Sequence, residues 1–194
     1  MANDISWRDD IEPSLNVIRA GGVILYPTDT IWGLGCDAAH KEAIGKISMI
    51  KQRNEARSMI ILVDSVEMME IYCAGMPHVA YDLARLSEEP VTLVLPARKG
   101  MLPEVLLSDD SYIGIRVCRE PFCSELIARF GRPVVSTSAN ITGTPAPRMF
   151  SEIVKAITGE ADYIVRYRQN DRRVSKPSAV IRIDETGAVR ILRR

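Results

Sequence analysis

Short apolar runs closed by Gly or Pro alternate along the chain with segments whose apolar residues recur every three or four positions. Gly22–Tyr26 ahead of Pro27, Met59–Val63, and Val91–Leu95 ahead of Pro96 have the length and make-up of buried strands. Between the first two, Ala43, Ile44, Ile47 and Ile50 keep helical spacing from Glu42 to Ile50, with Asp37 near the start as a cap. Val66–Tyr72 and His78–Leu86 read as helices, and 96–110 as irregular chain. Tyr112–Cys118 alternates, with Ile113, Ile115 and Val117 on one face and Tyr112, Gly114 and Arg116 on the other. Arg116 thus opposes the most apolar face, and Gly114 leaves room beside it.

Glu120–Phe130 forms a helix with Pro121 in its first turn and Gly131 as its stop. Pro133–Val135 is a brief strand leading into a polar turn, Ser136–Asn140. A helix over Ser151–Ile157 and a strand over Tyr163–Val165 follow, and the charged stretch 166–173 reads as an exposed loop or flap. Ala179–Ile183 and Ala188–Leu192 close as a hairpin through Thr186 and Gly187. Alternating strands and helices with a terminal hairpin imply an α/β fold (α+β in strict classification), a mixed twisted sheet with packed helices, in a single domain over 1–194. Three polar loops leave strand ends or lead into strands, Thr28–Thr30, 51–57 and Ser136–Asn140, and one shared cleft would account for them.

The charge balance narrows the function classes. Lys plus Arg equals Asp plus Glu at 25 each, so no global field draws in nucleic acid or an anionic membrane, and any anion site must be local. The acidic start MANDISWRDDIE lacks a basic segment followed by an apolar run, and no stretch approaches a membrane span, which points to a cytoplasmic protein. Cys36, Cys73, Cys118 and Cys123 contain no CxxC pair, and His40 and His78 are the only imidazoles. A metal site or Cys/His nucleophile is not expected, and the thiols read as reduced and partly buried.

Neither a GxxxxGK[ST] loop nor a GxGxxG turn is present, so phosphate would have to be bound differently. Ser136, Thr137, Ser138 and Asn140 offer hydroxyl and amide donors, although such runs are also ordinary turns. Lys51 and Arg53 can hold phosphate oxygens or form a solvated basic turn. Arg116, on its strand, is either a ligand contact or half of an internal ion pair. Thr28, Asp29 and Thr30 can bind a small polar substrate or build a turn, with Asp29 alternatively holding the basic loop. Trp32 can cover a ring or pack locally, and Ser178 is a lone hydroxyl after Lys176 and Pro177.

In this order along the chain, YPTDTIWGLGCDA, KQR, IGIRVC, STSAN followed by Gly143 and Pro145, and KPSAVIRI resemble the YrdC-like L-threonylcarbamoyladenylate synthases. The resemblance implies a concave basic cleft in which L-threonine and ATP bind side by side. Threonylcarbamoyl-AMP and pyrophosphate would form there from threonine, bicarbonate and ATP, with Mg²⁺, for threonylcarbamoyladenosine modification of tRNA. By motif it assigns Lys51, Arg53, Ser138 and Asn140 to ATP and its phosphates and to catalysis, with Arg57, Tyr112, Ala146 and Arg193 as further ATP contacts. Thr30, Arg116, Ser136 and Ser178 fall where the family contacts threonine, Arg116 taking the carboxylate.

The resemblance also implies a functional link to a tRNA threonylcarbamoyl transferase complex and weak tRNA or RNA binding. The competing reading is a non-catalytic relative that binds double-stranded RNA or tRNA. Asn54, Trp32, Ser58 with Met59, Ala146 and Ala179 depart from the common pattern, and the chain corresponds to the short type without a C-terminal domain.

Overall fold

The computed structural model describes residues 6–52 and 59–194. Its frame is a nine-stranded mixed sheet in the order β7-β1-β2-β6-β3-β5-β4-β8-β9. The strands are β1 (Ile24–Tyr26), β2 (Gly33–Gly35), β3 (Ile60–Val63), β4 (Val91–Pro96), β5 (Tyr112–Val117), β6 (Val134–Ser138), β7 (Tyr163–Ile164), β8 (Ala179–Ile183) and β9 (Val189–Arg193). The pairs β1/β7, β3/β5 and β4/β8 are parallel and the other five antiparallel. Helices α1 (Ile11–Arg19), α2 (Lys41–Ile50), α3 (Val66–Tyr72), α4 (His78–Leu86), α5 (Pro121–Phe130) and α6 (Lys155–Thr158) complete the α/β fold.

Strand alternation sends residues into two cores. Leu25, Leu34, Ile61, Val63, Leu93, Leu95, Ile113 and Ile115 meet α2, α3 and α4 on one face. Ile24, Tyr26, Leu62 and Val134 meet Ile11, Leu15 and Ile18 of α1 and Phe122, Leu126 and Ile127 of α5 on the other. This second layer stops short: α1 and α5 leave part of their sheet face without a helix.

Local chemistry sets the boundaries. In α5, Glu120 is the N-cap and accepts from the Cys123 amide at 3.0 Å, Pro121 opens the helix, and Gly131 ends it at φ +74°. For α2 the cap is His40, whose Nδ1 accepts from the Ala43 amide at 3.2 Å; Asp37, expected there, instead accepts from Ala39 and pairs with Arg132 at 3.0 Å. Along β6 the strand runs through Ser136, Thr137 and Ser138, so most of the polar segment expected as a turn is paired sheet, with Ile60 opposite Ser136 and Gly33 opposite Ser138. Its polar composition hid the strand, as the two glycines hid β2.

Those glycines answer to a neighbour. A Cβ on Gly35 would lie 2.6 Å from Tyr26 Cε1 and 2.7 Å from the Val135 carbonyl, and one on Gly33 would lie 3.0 Å from Ser136 Oγ. The expected helix over 151–157 is a 3₁₀ turn, Phe150–Glu152, followed by α6. Stretch 166–173 is strapped down rather than fully exposed: Arg168 donates to the Thr28 carbonyl at 2.9 Å and to Asp171 at 3.2 Å. In the β8–β9 pair the register shifts at Val180/Ile181, so Leu192 is an extra residue between the Arg193 and Ile191 pairings. Among the described residues, no helix is long and apolar enough to cross a membrane.

Candidate active site

Where α1 and α5 leave the sheet uncovered there is a cavity of ≈ 580 Å³. Its floor is made by residues of one strand face, Ile60, Thr92, Val94, Gly114 and Val180, and its walls by the Thr28–Gly33 segment and by Ser136–Ser138. A Cβ on Gly114 would sit 2.7 Å from Ile60 Cγ2, so the missing side chain keeps this floor low. Arg116, Arg182 and Arg193 line the cavity, with no carboxylate among its described lining residues.

Arg116 is held on β5 and is only 4% exposed. Its Nη2 lies 3.1 Å from Asp29 Oδ1, yet neither that oxygen nor Arg116 Nε has a hydrogen-bond partner among the described residues. The ion-pair reading of Arg116 therefore holds, and its Nε keeps a donor without a partner among the described residues. Asp29 pairs with this arginine.

The hydroxyls are held in pairs. Thr30 Oγ1 is 2.9 Å from Thr28 Oγ1, which donates to the Ile31 carbonyl at 2.8 Å. Ser178 Oγ is 2.8 Å from Thr92 Oγ1. Arg193 donates through Nε to the Ser178 carbonyl at 3.0 Å; burial, and then the nearby charge of Arg116, hold its pKa below the ordinary arginine value. The Arg182 guanidinium lies 3.7 Å above the Tyr112 ring and pairs with Asp110.

The cavity gathers Tyr112, Ser138, Ala146 and Arg193 with Thr30, Arg116, Ser136 and Ser178. Lys51 and Asn140 sit behind its lining. Lys51 is 1% exposed and its ammonium donates to the carbonyls of Ser138 and Asn140, the latter at 2.8 Å. Asn140 donates through Nδ2 to Ile141 and Thr144, and its Oδ1 accepts from Ser138 Oγ. This cation and this amide brace the end of β6. Arg53 and Arg57 lie outside the described residues.

Thr92 and Arg182 escaped sequence reasoning, although each interrupts an aliphatic strand, VTLVL and VIRI, at a position that alternation assigns to one face. Trp32 is 4% exposed with its ring 4.8 Å from Phe150, so it packs locally while still touching the cavity. All four cysteines are buried thiols, and burial pushes Cys73 up to about 12.

The family model for Sua5, YciO and YrdC proteins, described as "Telomere recombination", matches residues 16–194. The chain belongs to this family. Within the Sua5/YciO/YrdC family, a protein of Pseudomonas savastanoi pv. phaseolicola named threonylcarbamoyl-AMP synthase is 34% identical over 185 residues, 95% of this chain and 96% of the relative. Sua5 of P. abyssi, solved in complex with L-threonine, superposes with a TM-score of 0.83 at 28% identity, over 97% of this chain and 54% of that one. This chain thus spans little more than half of that Sua5. E. coli YciO matches with a TM-score of 0.83 at 26% identity, over 97% of this chain and 90% of its own.

Proposed function

We propose that this family member is a threonylcarbamoyl-AMP synthase, a nucleotidyltransferase acting on L-threonine, bicarbonate and ATP in the pathway to threonylcarbamoyladenosine in tRNA. The observation that carries this reading is the gathering of Thr30, Arg116, Ser136 and Ser178 with Tyr112, Ser138 and Arg193 around one cavity. The P. savastanoi relative's name and the threonine complex of Sua5 point the same way. An RNA-binding relative without catalysis has no comparable support in the site.

In this reading Arg116 takes the threonine carboxylate with the donor it has left. The amine captures carbon dioxide derived from bicarbonate, and a carbamate oxygen then attacks the α-phosphorus of ATP, expelling pyrophosphate. Negative charge grows on phosphate oxygens in that step, and Arg193, Arg182 and the Ser136–Ser138 hydroxyls oppose it as fixed donors. Lys51 contributes by holding the end of β6 that carries Ser138. Mg²⁺ would travel on the nucleotide phosphates, as it does where the chain supplies few carboxylates. Among the described residues no group of three or more His, Cys, Asp or Glu could hold a metal ion.

The test is to incubate the purified chain with ATP, Mg²⁺, bicarbonate and either L-threonine or L-serine, following pyrophosphate and adenylate product. Threonine-dependent pyrophosphate release is expected; its absence would overturn the reading.

A further inference from the structure

Resting on that reading of the substrate, we propose that Arg168 is a positioning residue for the amino-acid side of the site, bracing the peptide between Thr28 and Asp29 from behind the cavity wall. Arg168 belongs to the segment that runs from β7 to β8 and is not among the described lining residues of the main cavity. Its effect on the substrate passes through the turn.

The backbone first sets this arginine apart. Arg168 has φ +64°, in the left-handed region, which a residue with a Cβ occupies under strain and glycine occupies freely. What an arginine adds at such a position is reach. Its side chain is 18% exposed, and Nη1 donates to the Thr28 carbonyl at 2.9 Å, 140 residues away along the chain. The Nε donates to Asp171 at 3.2 Å, and Nη1 lies 4.0 Å from Oε1 of Glu120, the cap of α5. Hydrogen bonds from Arg173, and then from Arg168, hold the Asp171 carboxyl well below the usual carboxylate range, so this anchor stays charged.

In the turn such a brace has leverage. A peptide unit is planar, so fixing the Thr28 carbonyl also fixes the Asp29 amide and the direction in which the chain enters Asp29. From there Asp29 Oδ1 reaches Arg116 Nη2 at 3.1 Å. Within the same turn the Thr30 amide donates to Thr28 Oγ1 at 3.0 Å, and the two threonine hydroxyls are 2.9 Å apart. The preceding carbonyl, that of Pro27, accepts from Cys123 Sγ of α5 at 3.1 Å. One carbonyl of the turn is thus held by α5 and the next by Arg168. A second depression, ≈ 440 Å³, shares Thr30, Ser178 and Arg193 with the main cavity; of the two, Arg168 and Asp29 line only the second.

The test measures threonine-dependent pyrophosphate release and thermal melting for the full chain and for variants at residue 168. In Arg168→Gly the KM for threonine should rise by about 3- to 10-fold, the range of one lost hydrogen bond, while kcat and the KM for ATP stay within about two-fold. Its melting temperature should stay near the native value, since the relaxed backbone offsets the lost contacts. Arg168→Lys keeps a donor and should recover most of the threonine KM. An unchanged threonine KM in Arg168→Gly overturns the proposal. So does a rise in both KM values together with a lowered melting temperature, because Arg168 would then serve the fold alone.

Arg168→Met keeps the stem and loses every donor, and it should show the same rise in threonine KM; no rise there overturns the proposal even if Arg168→Gly failed to fold. Native turnover with these failures removes the role of Arg168 alone. A native chain without threonine-dependent release removes the reading of the substrate and this role with it.

Discussion

One face of the sheet is built as two halves from the same strands. Under α1 and α5 lie Leu62 of β3, Val134 of β6, and Cys118 just beyond β5; two residues back or forward on the same face are Ile60, Ser136 and Arg116. The covered half holds aliphatic and thiol side chains that need no polar partner. On the open half are hydroxyls, and a guanidinium with an unspent buried donor, a condition that costs roughly 1–3 kcal/mol wherever no ligand meets it. The cavity opens where the helical cover ends, and the same strands pack a core at one end and line the cavity at the other.

If the halves divide labour in this way, they should break differently. The largest effect is expected under the cover: Phe122→Ala removes a fully buried ring from α5 and should lower the unfolding free energy by about 3–5 kcal/mol in a denaturant titration. Turnover per folded molecule should change little. Arg116→Lys on the open half should behave oppositely. It keeps the charge opposite Asp29 and loses the planar fork, so kcat/KM for threonine should fall by about 10- to 100-fold, while thermal melting shows a small shift.

The smallest effect concerns Glu120, the cap of α5 at the border between the halves. Burial raises its pKa, so the native chain carries a penalty at neutral pH that is absent in acid, where the carboxyl is protonated folded and unfolded alike. Glu120→Gln should therefore be more stable at pH 7 by about 1 kcal/mol or less, and the gain should vanish below the ordinary carboxylate range. Urea midpoints at several pH values check this; a gain that persisted in acid would assign Glu120 wholly to the cover.

The sequence was most legible where one physical signal acted alone. The spacing that marks α3 and α4 survives unchanged because each helix buries a single stripe, as with Val66 and Met69 of α3. The place of Arg116 was legible for a similar reason, since period-two alternation puts it with Tyr112 and Gly114 on the face opposite Ile113 and Ile115. What escaped depended on contacts across the chain. β2 has two glycines because Tyr26, Ser136 and the Val135 carbonyl occupy the space of their side chains, a demand invisible within GLG itself. Ser136 and Thr137 are poor advertisements for a strand, yet Ile60 and Leu34 pair with them. The partner of Asp29 was out of reach, because nothing in a sequence ties residue 29 to residue 116.

The extra residue in β9 has its own consequence. Leu192 and Arg193 are neighbours and would ordinarily face opposite ways, yet both reach the cavity, because the shift at Val180/Ile181 offsets the alternation by one step. The strand acts as a phase marker. Were the hairpin regular with every residue kept, Leu192 would stand opposite Val180, and the arginine, one step on, would be addressed to the other face of the sheet.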